Sequence, residues 1–230
     1  MIKDLIKSSK LLNFNRIVIE DFIAKTVRKE ITPGSNVLDA GAGPVRFKKY
    51  FSDCIYKTQD FKQYGEIDYV CDIIDMPVET NSFDVVICTE VFEHIPRPDL
   101  AIKEFSRILK PNGRLYITAP LNSGIHQAPH HYYGGFSKFW YENFLNKYEF
   151  KEIDIKKKRG FFAFYGQETF RMILFFVKSR KWRYKIFSPF LVFGGLILIP
   201  IFYHLDNKKL DEEDLSCEIT IGYLVKARKK

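Results

Sequence analysis

"VLDAGAGPVRF", residues 37–47, decides the fold. An apolar run ends at Asp39. Gly41 and Gly43 follow with Ala42 between them, and Pro44 comes next. A buried strand over 36–41 is expected to enter a glycine-rich turn, and residues 45–51 then resume helical spacing with basic residues outward. A strand, turn and helix of this kind make an anion and nucleotide site. The helix start offers unpaired N–H groups and a partial positive charge. The two glycines let the backbone bend and come close to a ligand with no Cβ in the way. Pro44 has no N–H, but its φ suits a first helical turn, so the proline is compatible with the turn. Val45 adds bulk where a glycine would leave room.

Reading outward, short apolar runs recur with turn residues between them. "CIYKTQ" (54–59), "IDYVCD" (67–72), "FDVVICTE" (83–90) and "RLYITAP" (114–120) read as strands. The run 83–90 is nearly all apolar, as a strand covered on both faces requires. Residues 14–30 and 99–110 have helical spacing, and "PNG" (111–113) stops the second of these helices. Strand and helix alternating from 36 to 120 is the signature of a parallel sheet with helices on both faces. Beyond 120 the rhythm changes. A loop over 122–135, a helix over 136–148, a strand over 150–158 and a last strand over 217–230 are expected.

Asp60 ends the second strand, 21 residues after Asp39. That is the spacing at which a carboxylate accepts hydrogen bonds from two ribose hydroxyls. Asp72 ends the third strand, where an acid can accept from an exocyclic amine of adenine. Any single acid at a strand end is as readily a cap or a solvated residue. Three of them at the C-terminal ends of successive parallel strands gather where such sheets bind ligands. A dinucleotide is disfavoured, because nothing later in the chain repeats the phosphate-binding turn.

"VLDAGAGP", Asp60, "CDIIDMP", "NSFDVVICTEVFEHI" and "RILKPNGRLYITAP" together resemble the class I S-adenosylmethionine-dependent methyltransferases, over about residues 34–121. The resemblance implies a doubly wound, Rossmann-like α/β sheet of seven strands with the last antiparallel. It implies S-adenosyl-L-methionine as cofactor. Asp39, Gly41, Ala42 and Gly43 would border the methionine part, Asp60 would hold the ribose, and Asp72 and Ile73 would flank the adenine. Thr89 and Glu90 would lie beside the sulfonium.

Methyl transfer asks the protein for alignment, a dry pocket and sometimes a base. His94, His126 and His130 are the candidate bases, all at the binding edge, and a neutral imidazole is poised to take a proton. His94 is as readily a residue that orients its loop. The spacing of His126, His130 and His131 also offers imidazoles to a metal, but no acid cluster accompanies them and none is expected. The segment Pro129–Tyr133 resembles one seen in methyltransferases of bacterial surface-glycan gene clusters. His131 and Gly134 depart from the usual pattern there. No Asn/Asp-Pro-Pro-aromatic motif follows the fourth strand and no Pro-Cys dipeptide occurs, so nucleic acid is a disfavoured substrate. A small-molecule, glycan or lipid-linked oxygen acceptor is expected by elimination.

The net charge of +8 is unevenly placed. Residues 1–150 hold 19 Lys/Arg against 19 Asp/Glu, whereas residues 151–230 hold 17 against 9. "KSRKWRYK" (178–185) puts five cations in eight residues, and the next 18 residues, 186–203, carry no charge. As a helix those 18 residues would run about 27 Å, a little short of a bilayer's hydrocarbon. Pro189, Gly194, Gly195 and Pro200 weaken a continuous helix. Cations beside an apolar run, with Trp182 and Tyr184 at the junction, fit an interfacial anchor on an anionic membrane through 178–203. A packed lid over the substrate side is the competing reading. A single crossing is disfavoured, because the last strand must return to the sheet. The expected organisation is a core (1–158), an apolar and basic insertion (159–215), and a final strand with a basic tail (216–230). Cys54, Cys71, Cys88 and Cys217 lack paired spacing and read as reduced, buried thiols. With no secretory h-region at the start, a cytoplasmic location is expected, peripheral on the inner membrane face. A non-catalytic cofactor-binding module at the membrane and a nucleic-acid methyltransferase are the alternatives.

Overall fold

The computed structural model of the chain describes residues 14–207 and 219–230. Two compact units emerge, Ile19–Lys157 with Gly222–Lys230, and Met1–Val18 with Lys158–Ile221.

The larger unit is a seven-stranded sheet in the order β3-β2-β1-β4-β5-β7-β6. Its strands are β1 (Asn36–Ala40), β2 (Ile55–Asp60), β3 (Tyr69–Val70), β4 (Phe83–Thr89), β5 (Leu109–Pro120), β6 (Phe150–Lys157) and β7 (Gly222–Lys229). The first five run parallel, and β7 lies antiparallel between β5 and β6. This is the Rossmann-like arrangement expected, with an apolar helical insertion before the last strand.

Residues alternate strictly between two cores, as the period of two requires. Leu38, Val86, Cys88, Leu115 and Ile117 face one core with helices α2 (Pro98–Ile108) and α3 (Lys138–Lys147). Val37, Val85, Ile87 and Tyr116 face the other, covered by Ile19, Phe22, Ile23 and Val27. Ile19 comes from α1 (Phe14–Asp21), and the other three from the π-helical stretch Phe22–Val27 that continues it to a last turn, Arg28–Glu30. Hydrogen bonds from Tyr116 Oη and Lys226 Nζ tie Glu30 to the sheet at 2.9 and 2.7 Å. Burial would raise the Glu30 carboxyl, but these donors hold it below its ordinary value.

Several boundaries differ from expectation. The helix expected over 45–51 is a run of turns with one 3-10 turn, Lys48–Tyr50. Gly41, Gly43 and Val45 all take positive φ, which keeps the chain out of right-handed helix. The apolar spacing of Phe47 and Phe51 comes from both packing into the second core. The third strand shrinks to two residues at the sheet edge. "PNG" lies within β5, at a register shift between the Phe83 and Val85 pairings, with Asn112 at φ +62. The three described cysteines are free, and only Cys88 is fully buried; Cys54 and Cys71 are half-buried. Cys217 lies outside the described residues.

In the smaller unit, α4 (Phe161–Lys178) and α5 (Trp182–Asn207) form a helical hairpin. The α5 helix runs unbroken through Pro189 and Pro200, contrary to expectation. Both prolines lie on the exposed side. The opposite side packs at Leu191, Gly195, Ile199 and Tyr203 in the cluster that holds Ile173 of α4. That packing outweighs the two lost helical bonds. A Cβ on Gly195 would stand 2.2 Å from Ile173 Cδ1, so glycine sets the closeness of the two helices. The buried Asp206 carboxylate accepts from Gly160 N and Ala163 N, at 3.0 and 3.2 Å, and so caps α4 at the hairpin's root.

In the larger unit, Glu104 of α2 is a buried carboxylate with a structural duty. It accepts from Met76 N at 2.8 Å and from Arg107 through Nε (2.8 Å) and Nη2 (2.6 Å). Arg107 in turn donates to the Met76 and Val78 carbonyls. Glu104→Ala should destabilise by about 2–3 kcal/mol, by stranding these donors. A chemical-denaturation curve with a lowered midpoint and unchanged slope checks this.

Candidate active site

The parallel strands end on one rim, and the sequence places the candidate residues there. Asp39, the penultimate residue of β1, is 1% exposed. Its carboxylate accepts a 2.5 Å hydrogen bond from Tyr56 Oη. Burial pushes the Asp39 carboxyl up from 3.8 to about 6. The Tyr56 bond opposes the rise, the Asp60 charge adds to it, and Arg46 opposes it.

Asp60, at the end of β2 and 5% exposed, accepts from Gly43 N at 2.9 Å and from Lys62 N at 3.2 Å. Gly41 N donates to the Gln59 carbonyl (2.8 Å) and to Gln59 Oε1 (3.1 Å), and Ala42 N donates to the same carbonyl (2.9 Å). The glycine turn therefore differs from its sequence reading. Its N–H groups are spent on Gln59 and Asp60, and no α-helix N-terminus stands behind it. Val45, a β-branched residue at φ +52, sits in strained backbone where glycine would be relaxed.

Gln59 escaped the sequence reading. Its side chain is buried and spans two loops, since Nε2 donates to the Cys71 carbonyl at 2.7 Å while Oε1 takes Gly41 N. The available signal was a long polar side chain one place before a strand's terminal acid.

Asp72 lies two residues beyond β3 and is exposed, while Ile73 beside it is buried. Asp72 Oδ1 accepts from Ile74 N at 3.2 Å. Thr89 ends β4, and Glu90 follows at φ +55. Glu90 N donates to the Thr118 carbonyl, and Glu90 Oε1 accepts from Thr118 Oγ1 at 2.9 Å. The buried hydroxyl of Tyr141 in α3 lies under the field of Glu90 and Glu93, and burial foremost pushes it well up.

The loop after β4 meets the glycine turn directly, since a Cβ on Gly41 would stand 2.4 Å from Val91 Cγ2. The loop after β5 is tied to the same place, for Tyr132 N donates to the carbonyl of Glu93 at 2.8 Å. His94, His126 and His131 come together there. Their ring centroids lie 4.7 Å (94–126), 5.7 Å (94–131) and 4.7 Å (126–131) apart. Burial first, and then the neighbouring histidines, lowers the His94 imidazole below its ordinary value. The ring of His130, a candidate base, packs instead on Phe61 at 5.5 Å, while its carbonyl contacts His94 Nδ1 at 2.5 Å.

With this geometry in view, the comparisons are specific. Residues 38–117 match the family described as "Methyltransferase domain". A "Ubiquinone biosynthesis O-methyltransferase" of Xanthomonas oryzae pv. oryzae is 42% identical over 55 residues, 23% of this chain and 23% of that protein. The matched chain thus spans about a quarter of the length of such curated relatives. Among solved structures, a putative sarcosine dimethylglycine methyltransferase from Galdieria sulphuraria superposes with TM-score 0.56 at 15% identity, covering 95% of this chain and 86% of that one. Phosphoethanolamine N-methyltransferase 2 of Haemonchus contortus, with S-adenosyl-L-methionine bound, gives 0.52 at 15%, covering 100% and 60%. At these identities the structural likeness is one of fold.

Asp39 supplies a test of the site's electrostatics. With its folded value raised, the native protein holds this proton more firmly than the unfolded chain does. The contribution is therefore favourable at low pH and is lost as pH rises from about 4 through about 6. Above that range the buried charge costs about 3 kcal/mol. Asp39→Asn should therefore be the more stable protein at pH 7.5, with the gap closing toward pH 4, in paired thermal-melt series.

Proposed function

We propose that the chain is an S-adenosyl-L-methionine-dependent methyltransferase that methylates an oxygen of a small-molecule, glycan or lipid-linked acceptor at the cytoplasmic face of a membrane. The observation that carries the cofactor reading is the gathering of Asp39, the 41–43 turn and Asp60 on one rim. The donor set fits the cofactor. Two buried carboxylates suit a ligand with a cationic centre and a ribose diol, and the open space where a Cβ on Gly43 would stand leaves backbone free for close approach. The cofactor, when bound, supplies an activated methyl on a sulfonium.

The chain's own residues orient and exclude water. Asp39 with Gly41, Ala42 and Gly43 would border the methionine part, and Asp60 would hold the ribose hydroxyls. Asp72 and Ile73 would flank the adenine, and Thr89 and Glu90 would lie beside the sulfonium. The acceptor oxygen would gain the methyl and give up its proton toward the rings of His94 and His126. Titration calorimetry tests the cofactor part. Asp60→Asn should weaken S-adenosyl-L-methionine binding by roughly tenfold or more. In the wild type, affinity should fall as pH drops through about 6, because protonating Asp39 removes a charge that faces a cation. Wild-type affinity in Asp60→Asn would discard the assignment.

The membrane reading rests on α5. Its span Trp182–Asp206 is long and apolar enough to cross a bilayer by length and composition, with mean hydropathy 2.1, and only 11% of its most apolar window is buried. Trp182, Ile186, Phe190, Phe193, Ile197 and Ile201 recur at helical spacing and are all exposed, Trp182 and Phe190 by about three quarters (74% and 75%). Unpartnered apolar surface on this scale marks an interaction site. Crossing is disfavoured, because β6 and β7, on either side of the hairpin, pair with each other in one sheet. Both helices would have to cross, and α4 carries Glu168 and Arg171 at mid-length. A hairpin lying in an anionic interface satisfies both the stripe and the cluster of cations at 178–185. The protein should co-sediment with vesicles containing phosphatidylserine and much less with neutral ones, and Trp182→Ala with Phe190→Ala should abolish pelleting. Equal recovery in the supernatant with both vesicle types would assign the stripe to another partner.

A further inference from the structure

We propose that His94, His126 and His131 form a binding site for a divalent transition metal of the zinc class. Each offers one ring nitrogen, and the three candidate atoms lie within 4.8 Å of one another. Nitrogens on a tetrahedral zinc ion stand about 3.4 Å apart, so side-chain adjustments of about 1 Å close the set. The hydrogen bonding prepares two of the three rings. His94 Nδ1 meets the His130 carbonyl at 2.5 Å, and His126 Nδ1 meets the Gly124 carbonyl at 3.0 Å. A carbonyl accepts only from N–H, so both Nδ1 atoms carry the proton and both Nε2 atoms present a lone pair. Backbone carbonyls orient metal-binding histidines in this way.

The third observation is the state of the inward atoms. His94 Nε2 and His131 Nδ1 are buried and have no hydrogen-bond partner. Buried polar atoms left without partners are costly, and a cation converts that cost into bonds. A carboxylate oxygen of Glu93, itself buried, stands 3.9 Å from His94 Nε2 and adds negative charge next to the cluster. Three imidazoles select zinc, nickel or copper over magnesium or calcium. They also leave a fourth position for water or an oxygen of the acceptor. Only that last use, polarising an acceptor hydroxyl so that it yields its proton, rests on the methyltransferase reading. Metal binding itself does not.

The test uses the full chain without a histidine tag, stripped with chelator and titrated with Zn²⁺ by calorimetry and with Co²⁺ by visible absorption. One ion per chain is expected, with a cobalt band of four-coordinate intensity. His126→Ala and His131→Ala should each weaken zinc binding by at least about tenfold. His130→Ala, which keeps the carbonyl and loses only a ring outside the cluster, should bind as wild type does. Circular dichroism and S-adenosyl-L-methionine titration of the same variants separate lost metal from lost fold or lost cofactor. Zinc binding without cofactor binding would keep this site and sink the methyltransferase reading. No stoichiometric zinc binding, or wild-type affinity in both His126→Ala and His131→Ala, would overturn the metal site.

Discussion

The rim of the sheet depends on the contact between Gly41 and Val91. The loop after β1 and the loop after β4 leave adjacent parallel strands and would collide if residue 41 carried a side chain. Its absence lets Val91 settle against the turn, at the start of the loop that carries Phe92–His94. From there the carbonyl of Glu93 receives the loop after β5. One missing methyl group thus fixes the spacing between the cluster of aspartates and the cluster of histidines. Its left-handed φ of +72 makes the same demand for glycine independently.

Much of this was legible in the sequence, for identifiable reasons. Strands β1, β2 and β4 are short, apolar and bounded by turn residues, and their terminal acids follow from where each run ends. The histidine cluster was legible only as a spacing, because two loops far apart in sequence build it, and a chain cannot announce which of four imidazoles turns inward. His130 and His131 are neighbours, yet one contributes its carbonyl and the other its ring.

The misread helix after the glycine turn has a different origin. Phe47 and Phe51 stand four apart because both plug the second core, and that spacing imitates a helical face. Gln59 was missed because its work is invisible in one dimension. A buried amide that accepts from one loop and donates to another has no local signature beyond its polarity. In α5, the prolines suggested a break that pairwise packing against α4 overrides, since local propensity is a weak prior once tertiary contacts form.

The way the hairpin leaves the sheet has a consequence for how such a chain can change. Lys157, the last residue of β6, pairs with Tyr223, the second of β7. The intervening segment begins and ends at neighbouring points of one antiparallel ladder, and Asp206 fastens its two helices together at their base. Everything between those points is topologically a long hairpin loop, which a tight turn could replace without moving a strand. Recombination or design can therefore exchange this appendage wholesale while the ladder that carries it stays as it is.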